Sequence, residues 1–224
     1  MITVHHLENS RSRRVLWLLE ELGVEHRIVH YKRDPVTMLA PPALRNVHAL
    51  GKSPVITDGN ATVAESGAIV EYLVEQYDHA HALAPRPGTP ERRRYTYWLH
   101  YAEGSAMPPL LLALVFRKVA TAPMPFFVKP IAKGIAHKVM STFVEPQIRT
   151  HLDFMNAELA SREWFAGPAF SAADVQMSFP VEAAATRGGL DAKWPHLLAW
   201  LKRVQARPAY QRALEKGGPY SLMS

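Results

Sequence analysis

The chain has 224 residues, 48% of them hydrophobic, which is enough for two modest packed domains or one large one. It contains no cysteine, and this excludes disulfides, thiolate metal ligands and a thiol nucleophile supplied by the protein itself. The formal net charge is +6 with the cations scattered along the chain, which favours solvated helix faces and steering of small anions over nucleic-acid binding.

The N-terminal residues predict a strand followed by a helix. Ile2–Leu7 is typical of a strand, and Asn9-Ser10 offers a helix N-cap directly after it. The helix that follows carries apolar residues at i, i+3, i+4 and i+7, which predicts one buried face: Val15, Leu18, Leu19 and Leu22. Gly23 then ends the helix, since glycine adopts the left-handed conformation of a helix C-terminus.

A second strand over residues 27–31 and a loop with a short helix over 35–47 lead into the most informative segment, residues 51–73. That segment predicts a loop, a strand, a tight turn at Asp58-Gly59, a second strand and a helix that opens at Glu65-Ser66 and ends near Tyr77. The order βαβ(α)ββα combines a parallel pair with a hairpin. We therefore predict a mixed four-stranded sheet with helices packed on it.

The composition changes at Asp78, where a segment rich in Pro, Ala and His predicts a linker. Beyond Pro90 the pattern is helical, with helices predicted over residues 91–120, 124–159, 195–206 and 208–216. Pro108-Pro109 is expected to kink or break the first of these. Ser171 and Asp174 form a predicted capping box. We therefore expect an α/β domain over 1–78, a linker over 79–90 and an all-helical domain over 91–224.

Several common sites are excluded. Gly51-Lys52-Ser53 looks like the end of a phosphate-binding loop, but Asn46 stands where that loop needs glycine and Pro54 opens a strand in place of a helix. The histidines show no tight metal-ligand spacing, so we expect no metal. No apolar run approaches the roughly 20 residues of a membrane span, and the first residues lack the pattern of a secretory signal. We therefore expect a cytoplasmic protein with neither a membrane nor a nucleic acid as partner.

Two predicted helix starts carry polar residues. Asn9, Ser10 and Ser12 cluster at the first, and Glu65-Ser66 opens the second. In a fold of this order both starts can open on the same side of the sheet, where free N–H groups would bind a peptide with separated carboxylates. The alternative is that the serines only cap their helix.

Four motifs in this order and spacing resemble those of the glutathione S-transferase family. They are S-R-S-x-R-V-L-W-L-L-E-E-L-G in the first helix, G-K-S-P-V in the proline loop, E-S at the later helix start and F-S-x-A-D at the capping box. The resemblance spans nearly the whole chain and is strongest to serine-type bacterial and fungal members. It implies a thioredoxin-like N-terminal domain, an all-helical C-terminal domain, glutathione as co-substrate, a hydrophobic electrophile, a role in detoxification and a homodimer.

The resemblance also implies which residues bind glutathione. Pro54, after Ser53, would be the family's cis-proline, and Val55 would pair its backbone with the cysteinyl part. Glu65 and Ser66 would hold the γ-glutamyl end, and Lys52 would lie near the glycyl carboxylate. Ser171 and Asp174 would serve folding only.

The catalytic residue is less defined, because Leu7 stands where tyrosine-type members carry their tyrosine. Ser10 is the first candidate for stabilising the thiolate, Ser12 the second, and Asn9 a further amide donor. Tyr101, Ser105 and Met107 are predicted to line the electrophile site. The reaction is expected to be conjugation; glutathione-dependent peroxide reduction and a non-catalytic binding module remain alternatives.

Overall fold

The computed structural model describes residues 1–218 and begins with the predicted α/β unit. Its strands are β1 (Ile2–Leu7), β2 (His26–Tyr31), β3 (Val55–Asp58) and β4 (Ala61–Ala64). They form one sheet in the order β2-β1-β3-β4, with β1 parallel to β2 and the other two pairs antiparallel. The helices of this unit are α1 (Ser12–Leu22) and α2 (Ser66–Tyr77), with a 3₁₀ turn over Pro42–Asn46. The predicted mixed four-stranded, thioredoxin-like arrangement is confirmed.

Helix α1 is buried more completely than its sequence predicts. Leu16 and Trp17 lie outside the predicted apolar face, yet each is at most 1% exposed. The reason is that the helical half of the chain covers the outer side of α1. Trp17 meets the ring of Tyr210 edge-on at 5.2 Å between centroids, and a Cβ on Gly217 would lie only 3.1 Å from Leu16 Cδ1. Helix α1 therefore lies between the sheet and the helical half.

The loop before β3 is fixed by a side chain. The Ser53–Pro54 peptide is cis, as the resemblance implied. Ser53 Oγ donates to the carbonyl of His5 at 2.9 Å and accepts from the N–H of Leu7 at 3.3 Å. Since the pairing of β1 with β3 ends at His5 and Val55, Ser53 extends the contact between the loop and β1 beyond the ladder.

The second half of the described chain is helical. Its helices are α3 (Pro90–Tyr101), α4 (Met107–Thr121), α5 (Lys129–Val139), α6 (Glu145–Ala160), α7 (Ala172–Ala183), α8 (Pro195–Gln205) and α9 (Pro208–Gly217). Over the span that the structure covers, no helix is both long enough and apolar enough to cross a bilayer. The division into two domains and a linker at the predicted boundaries remains a prediction.

Two helix boundaries differ from those predicted. Helix α3 continues into α4 through a π segment, Ala102–Ala106, just before Pro108. Pro108 has no N–H to donate to the preceding turn, and a π turn accommodates this missing donor. The helix therefore neither breaks nor ends at the prolines. The helix expected from residue 124 begins only at Lys129, because Pro123 and Pro125 interrupt any regular helix before it.

The predicted capping box is confirmed. Asp174 is fully buried and accepts from the N–H of Ser171 at 3.0 Å and from its hydroxyl at 3.1 Å. It also accepts from the N–H of Phe165 and from Trp200 Nε1, both at 3.0 Å. Burial raises the pKa of Asp174 to about 6, against the lowering effect of these donors. The carboxyl thus ties the start of α7 to α8 and to the turn before it.

Candidate active site

The loop between β1 and α1 contains a buried chain of hydrogen bonds. His6 Nε2 lies 3.0 Å from the carbonyl oxygen of Gly217, which can only accept, so Nε2 carries the hydrogen. Burial lowers the pKa of His6 to about 4, with Arg13 and His30 adding to the effect, so the ring is neutral at pH 7 and Nδ1 accepts. Ser12 Oγ, 2.8 Å away, therefore donates its hydrogen to His6 Nδ1.

Ser10 belongs to the same chain of hydrogen bonds. Ser10 Oγ lies 2.7 Å from Ser12 Oγ and 2.7 Å from the carbonyl of Leu7, and one of these receives its hydrogen. It also accepts from the N–H of Ser12 at 3.2 Å. Ser10 is 6% exposed and Ser12 fully buried, so the Ser10 hydroxyl must rotate away from these partners to reach a ligand.

The predicted N-cap at Asn9-Ser10 is wrong by one to two residues. Helix α1 begins at Ser12, and Arg11 occupies the N-cap position without a side-chain capping bond. Ser10 lies one residue before the N-cap position, yet its Oγ still accepts from the N–H of Ser12, the first residue of the helix, at 3.2 Å. Asn9 has a positive φ of 49°, a conformation that asparagine tolerates, and its side chain borders the cleft between the two halves of the protein.

The neutral His6 makes stability depend on pH. Its folded pKa of about 4 lies below its ordinary value of 6.5, so the unfolded chain binds more protons between these values. We expect the free energy of unfolding to fall by about 3 kcal/mol more in the wild type than in His6→Gln as pH drops from 7 to 4. Urea unfolding at several pH values measures this difference. His137→Gln, at an exposed position on α5, should retain the wild-type dependence; a His6→Gln curve parallel to the wild type would contradict the buried neutral imidazole.

The start of α2 presents backbone donors. Glu65 precedes the helix with φ 73° and ψ 125°, a strained conformation for a residue with a side chain, and it is exposed. The first N–H groups of α2, from Ser66 onward, have no partner within the helix. An anionic group is stabilised at such a helix start.

A buried guanidinium lies behind this helix start. Arg14, 2% exposed, donates to Ser66 Oγ at 3.0 Å, to the carbonyl of Gln176 at 2.6 Å and to Glu103 Oε1 at 2.5 Å. Arg11 Nε lies 2.9 Å from both oxygens of Glu103. Burial alone would raise the pKa of Glu103, but the two guanidinium groups hold it below its usual value. No local sequence pattern indicates this cluster, because its members come from α1, α2, the π segment and α7.

The proline loop places the remaining predicted binding residues beside β1. Lys52 is exposed, and Pro54 and Val55 are buried. Val55 pairs with His5 on one side and with Ala64 on the other.

The cleft between the two halves holds a cavity of about 210 Å³. Its lining combines apolar and cationic side chains with Asn9: Arg11, Arg33, Met38, Met107, Leu111, Leu114, Lys118, Phe179 and Arg187. Of these residues, only Asn9 and Met107 were predicted from the sequence as part of the site. Arg33 also supports the loop, since its Nη2 donates to the Asn9 carbonyl at 3.3 Å.

The other two residues predicted for the electrophile site are not part of this lining. Tyr101 packs in an aromatic cluster on another side of α3, with its ring 4.9 Å from that of Trp98 and its hydroxyl 2.5 Å from His151 Nδ1. Helical spacing alone could not tell the cleft face of α3 from its core face. Ser105 lies half-buried in the π segment.

Comparison with known proteins agrees with this geometry. The family model described as glutathione S-transferase, N-terminal domain matches residues 10–76, and that of the C-terminal domain matches residues 131–203. The chain is 34% identical over 224 residues to glutathione S-transferase 1 of Saccharomyces cerevisiae, covering 96% of this chain and 95% of the relative. It is 38% identical over 217 residues to glutathione S-transferase 3 of Schizosaccharomyces pombe, covering 96% and 88%. The crystal structure of a glutathione S-transferase from Actinobacillus pleuropneumoniae superposes with a TM-score of 0.79 at 31% identity, covering 97% of this chain and 93% of that one.

Proposed function

The chain belongs to the glutathione S-transferase family, and we propose that it binds glutathione at the start of α2 and transfers it, as the thiolate, to a small electrophile in the cleft. The observation that carries this proposal is the arrangement at that helix start. Glu65 is held at positive φ beside Ser66, and the buried Arg14 lies directly behind them. The proposal is supported because a carboxylate, a hydroxyl and the first N–H groups of a helix lie together here, and these groups suit the two charges of an amino-acid end group.

In this proposal the γ-glutamyl carboxylate accepts from the first N–H groups of α2, and Glu65 accepts from the γ-glutamyl ammonium group. The backbone of Val55 aligns the cysteinyl part at the end of the sheet, and the exposed Lys52 reaches the glycyl carboxylate. The thiol then lies near the β1–α1 loop, which carries Asn9 and Ser10. No metal has a part in this scheme.

The energy needed to ionise the thiol is small. A free thiol has a pKa near 8.5, and lowering it by one to two units requires about 1.4–2.7 kcal/mol. A hydrogen bond to a thiolate contributes about 1.5–3 kcal/mol, but Ser10 must give up a bond worth about 1 kcal/mol to make it. The start of α1 contributes a further ~0.3–1 kcal/mol. Together these suffice for a large thiolate fraction at neutral pH without a protein base.

The reaction is a displacement or an addition. The thiolate sulfur forms a bond to an electrophilic carbon of the second substrate, and in a displacement the leaving group departs with its electron pair. Holding both reactants together supplies much of the rate. Catalysis therefore requires the cleft as well as the glutathione site.

We expect Glu65→Gln to weaken glutathione binding about tenfold or more, because it removes a charge-assisted hydrogen bond. Ser66→Ala should weaken binding about fivefold. Calorimetric titration with glutathione measures both. Glu75→Gln, at an exposed position on the same helix, and Ser141→Ala, at an exposed serine, are the matched controls and should bind as the wild type does.

Wild-type affinity in Glu65→Gln and Ser66→Ala would show that glutathione binds elsewhere.

Turnover of defined substrates decides the class of activity. Conjugation of 1-chloro-2,4-dinitrobenzene supports the transferase, turnover of an organic peroxide alone points to a peroxidase, and binding without either reaction points to a binding module. The homodimer, the cytoplasmic location and the role in detoxification remain predictions.

A further inference from the structure

The charged side chains that line the cleft are all positive. The lining includes Arg11, Arg33, Lys118 and Arg187, and none of its described residues is aspartate or glutamate. A narrow space bordered by cations in a low-dielectric surrounding concentrates anions. Four cations are unusual for a cavity whose other side chains are mostly apolar.

Neighbouring carboxylates do not cancel this charge. Glu103 lies between Arg11 and Arg14, so one carboxylate faces two guanidinium groups. Glu8 lies beside Arg33, accepting from its backbone N–H at 2.9 Å. With Arg11 facing Glu103 and Arg33 beside Glu8, Lys118 still adds a positive charge to the lining.

Helices α4 and α5 of the helical wall supply no carboxylate. Residues 104–144, which include α4 and α5, contain five lysines and arginines and neither aspartate nor glutamate. Lys118, on α4, therefore has no carboxylate within its own helix or the next. Its ammonium group is exposed at the cleft.

The rest of the lining suits an aromatic ring. The side chains of Met38, Met107 and Phe179 give it an apolar floor, and the guanidinium groups of Arg11 and Arg14 lie 5.0 and 5.3 Å from the centroid of Phe179. A cavity of about 150 Å³ is known to hold benzene, so one of about 210 Å³ accommodates one substituted ring.

We propose that the cleft selects electrophiles that carry a negative charge, in particular single-ring aromatic carboxylates, with Lys118 as a specificity-determining residue. This rests on the proposed transferase function. The carboxylate is a spectator: the thiolate sulfur bonds to the ring carbon that carries the leaving halide, the halide leaves with its electron pair, and the carboxylate keeps its charge throughout.

A matched pair of substrates tests this class. 4-Chloro-3,5-dinitrobenzoate and its carboxamide share one ring and one leaving group and differ in a single charge. We expect kcat/KM for the acid, divided by its uncatalysed rate constant with glutathione, to exceed the same ratio for the amide by about fivefold to tenfold. The preference should shrink when the ionic strength rises from about 0.01 M to about 0.15 M, because the Debye length falls from roughly 30 Å to 8 Å.

Variants assign the preference to the cleft. Lys118→Met should lower the acid-to-amide ratio about fivefold and Lys118→Glu more, whereas Lys118→Arg should keep it. Lys138→Met removes an exposed lysine from α5 outside the cavity, and its ratio should equal that of the wild type. Because the ratio is internal to each variant, a partial loss of folded protein leaves it unchanged.

The outcomes separate the two proposals. If neither substrate is conjugated, the transferase function fails. If both are conjugated but the wild type does not prefer the acid, or if Lys118→Met and Lys138→Met give the same ratio, charge selection by the cleft is wrong while the transferase function stands.

Discussion

Replacement of Ser10 by alanine is expected to lower kcat/KM for a neutral aryl chloride about tenfold and to raise the pKa of the bound glutathione thiol. The Ser10 hydroxyl must leave Leu7 or Ser12 to stabilise the thiolate, so its net contribution is about 1–1.5 kcal/mol. Glutathione affinity should change little, since the γ-glutamyl end binds at α2. Initial rates together with a pH titration of the thiolate absorbance measure the effect.

Variants of two residues near Ser10 serve as comparisons. Ser12→Ala should cost about 1–3 kcal/mol of stability, because it leaves the buried Nδ1 of His6 without a donor, while the folded protein keeps most of its activity. Asn9→Ala tests the amide that borders the cleft. Wild-type rates in Ser10→Ala combined with slow turnover in Asn9→Ala would move the thiolate donor from Ser10 to Asn9.

Replacement of Arg14 by methionine is expected to lower the free energy of unfolding by about 3 kcal/mol. The change leaves the carboxylate of Glu103, about one-third exposed, with only Arg11 to compensate it, and removes the donor to the Gln176 carbonyl. It should also weaken glutathione binding, because Ser66 loses the cation behind it. Urea unfolding and calorimetric titration measure the two effects.

A second substitution distinguishes charge from packing. In the double variant Arg14→Met with Glu103→Gln, there is no longer a partly buried carboxylate that depends on Arg11 alone, so part of the lost stability should return. Glu103→Gln alone should be destabilising, since it leaves Arg14 with a neutral partner. If the effects of the two single changes simply add, the ion pair does not couple the two halves of the protein and Arg14 acts through packing alone.

The sequence predicted best those features that depend on neighbouring residues. The hairpin turn lies at Asp58-Gly59, as predicted, and Gly59 has a φ of 54°. Helix α2 begins at Ser66 after Glu65, and the capping box forms at Ser171. Each of these depends on backbone conformation within a few residues. Local patterns of turn and cap residues are enough to specify them.

Features built from distant segments could not be predicted in this way. The apolar pattern of α1 showed one face, but α7 and α9 cover the other, and nothing near Leu16 or Trp17 indicates this. Arg14 reads as a surface cation in sequence and is 2% exposed in the structure. Tyr101 was predicted for the cleft and lies in an aromatic cluster, because a buried helix offers several apolar faces and the sequence does not say which neighbour each meets.

The hydrogen bond from His6 to Gly217 joins positions 211 residues apart, so the first strand of the protein is completed by the last described helix. During synthesis the sheet and α1 leave the ribosome first, with the outer side of α1 uncovered until α7 and α9 follow. Such long-range closure slows folding. The β1–α1 loop can therefore form its final hydrogen bonds only when nearly the whole polypeptide has been made. A nascent chain arrested before α9 would expose Trp17 and Leu16 to solvent and chaperones.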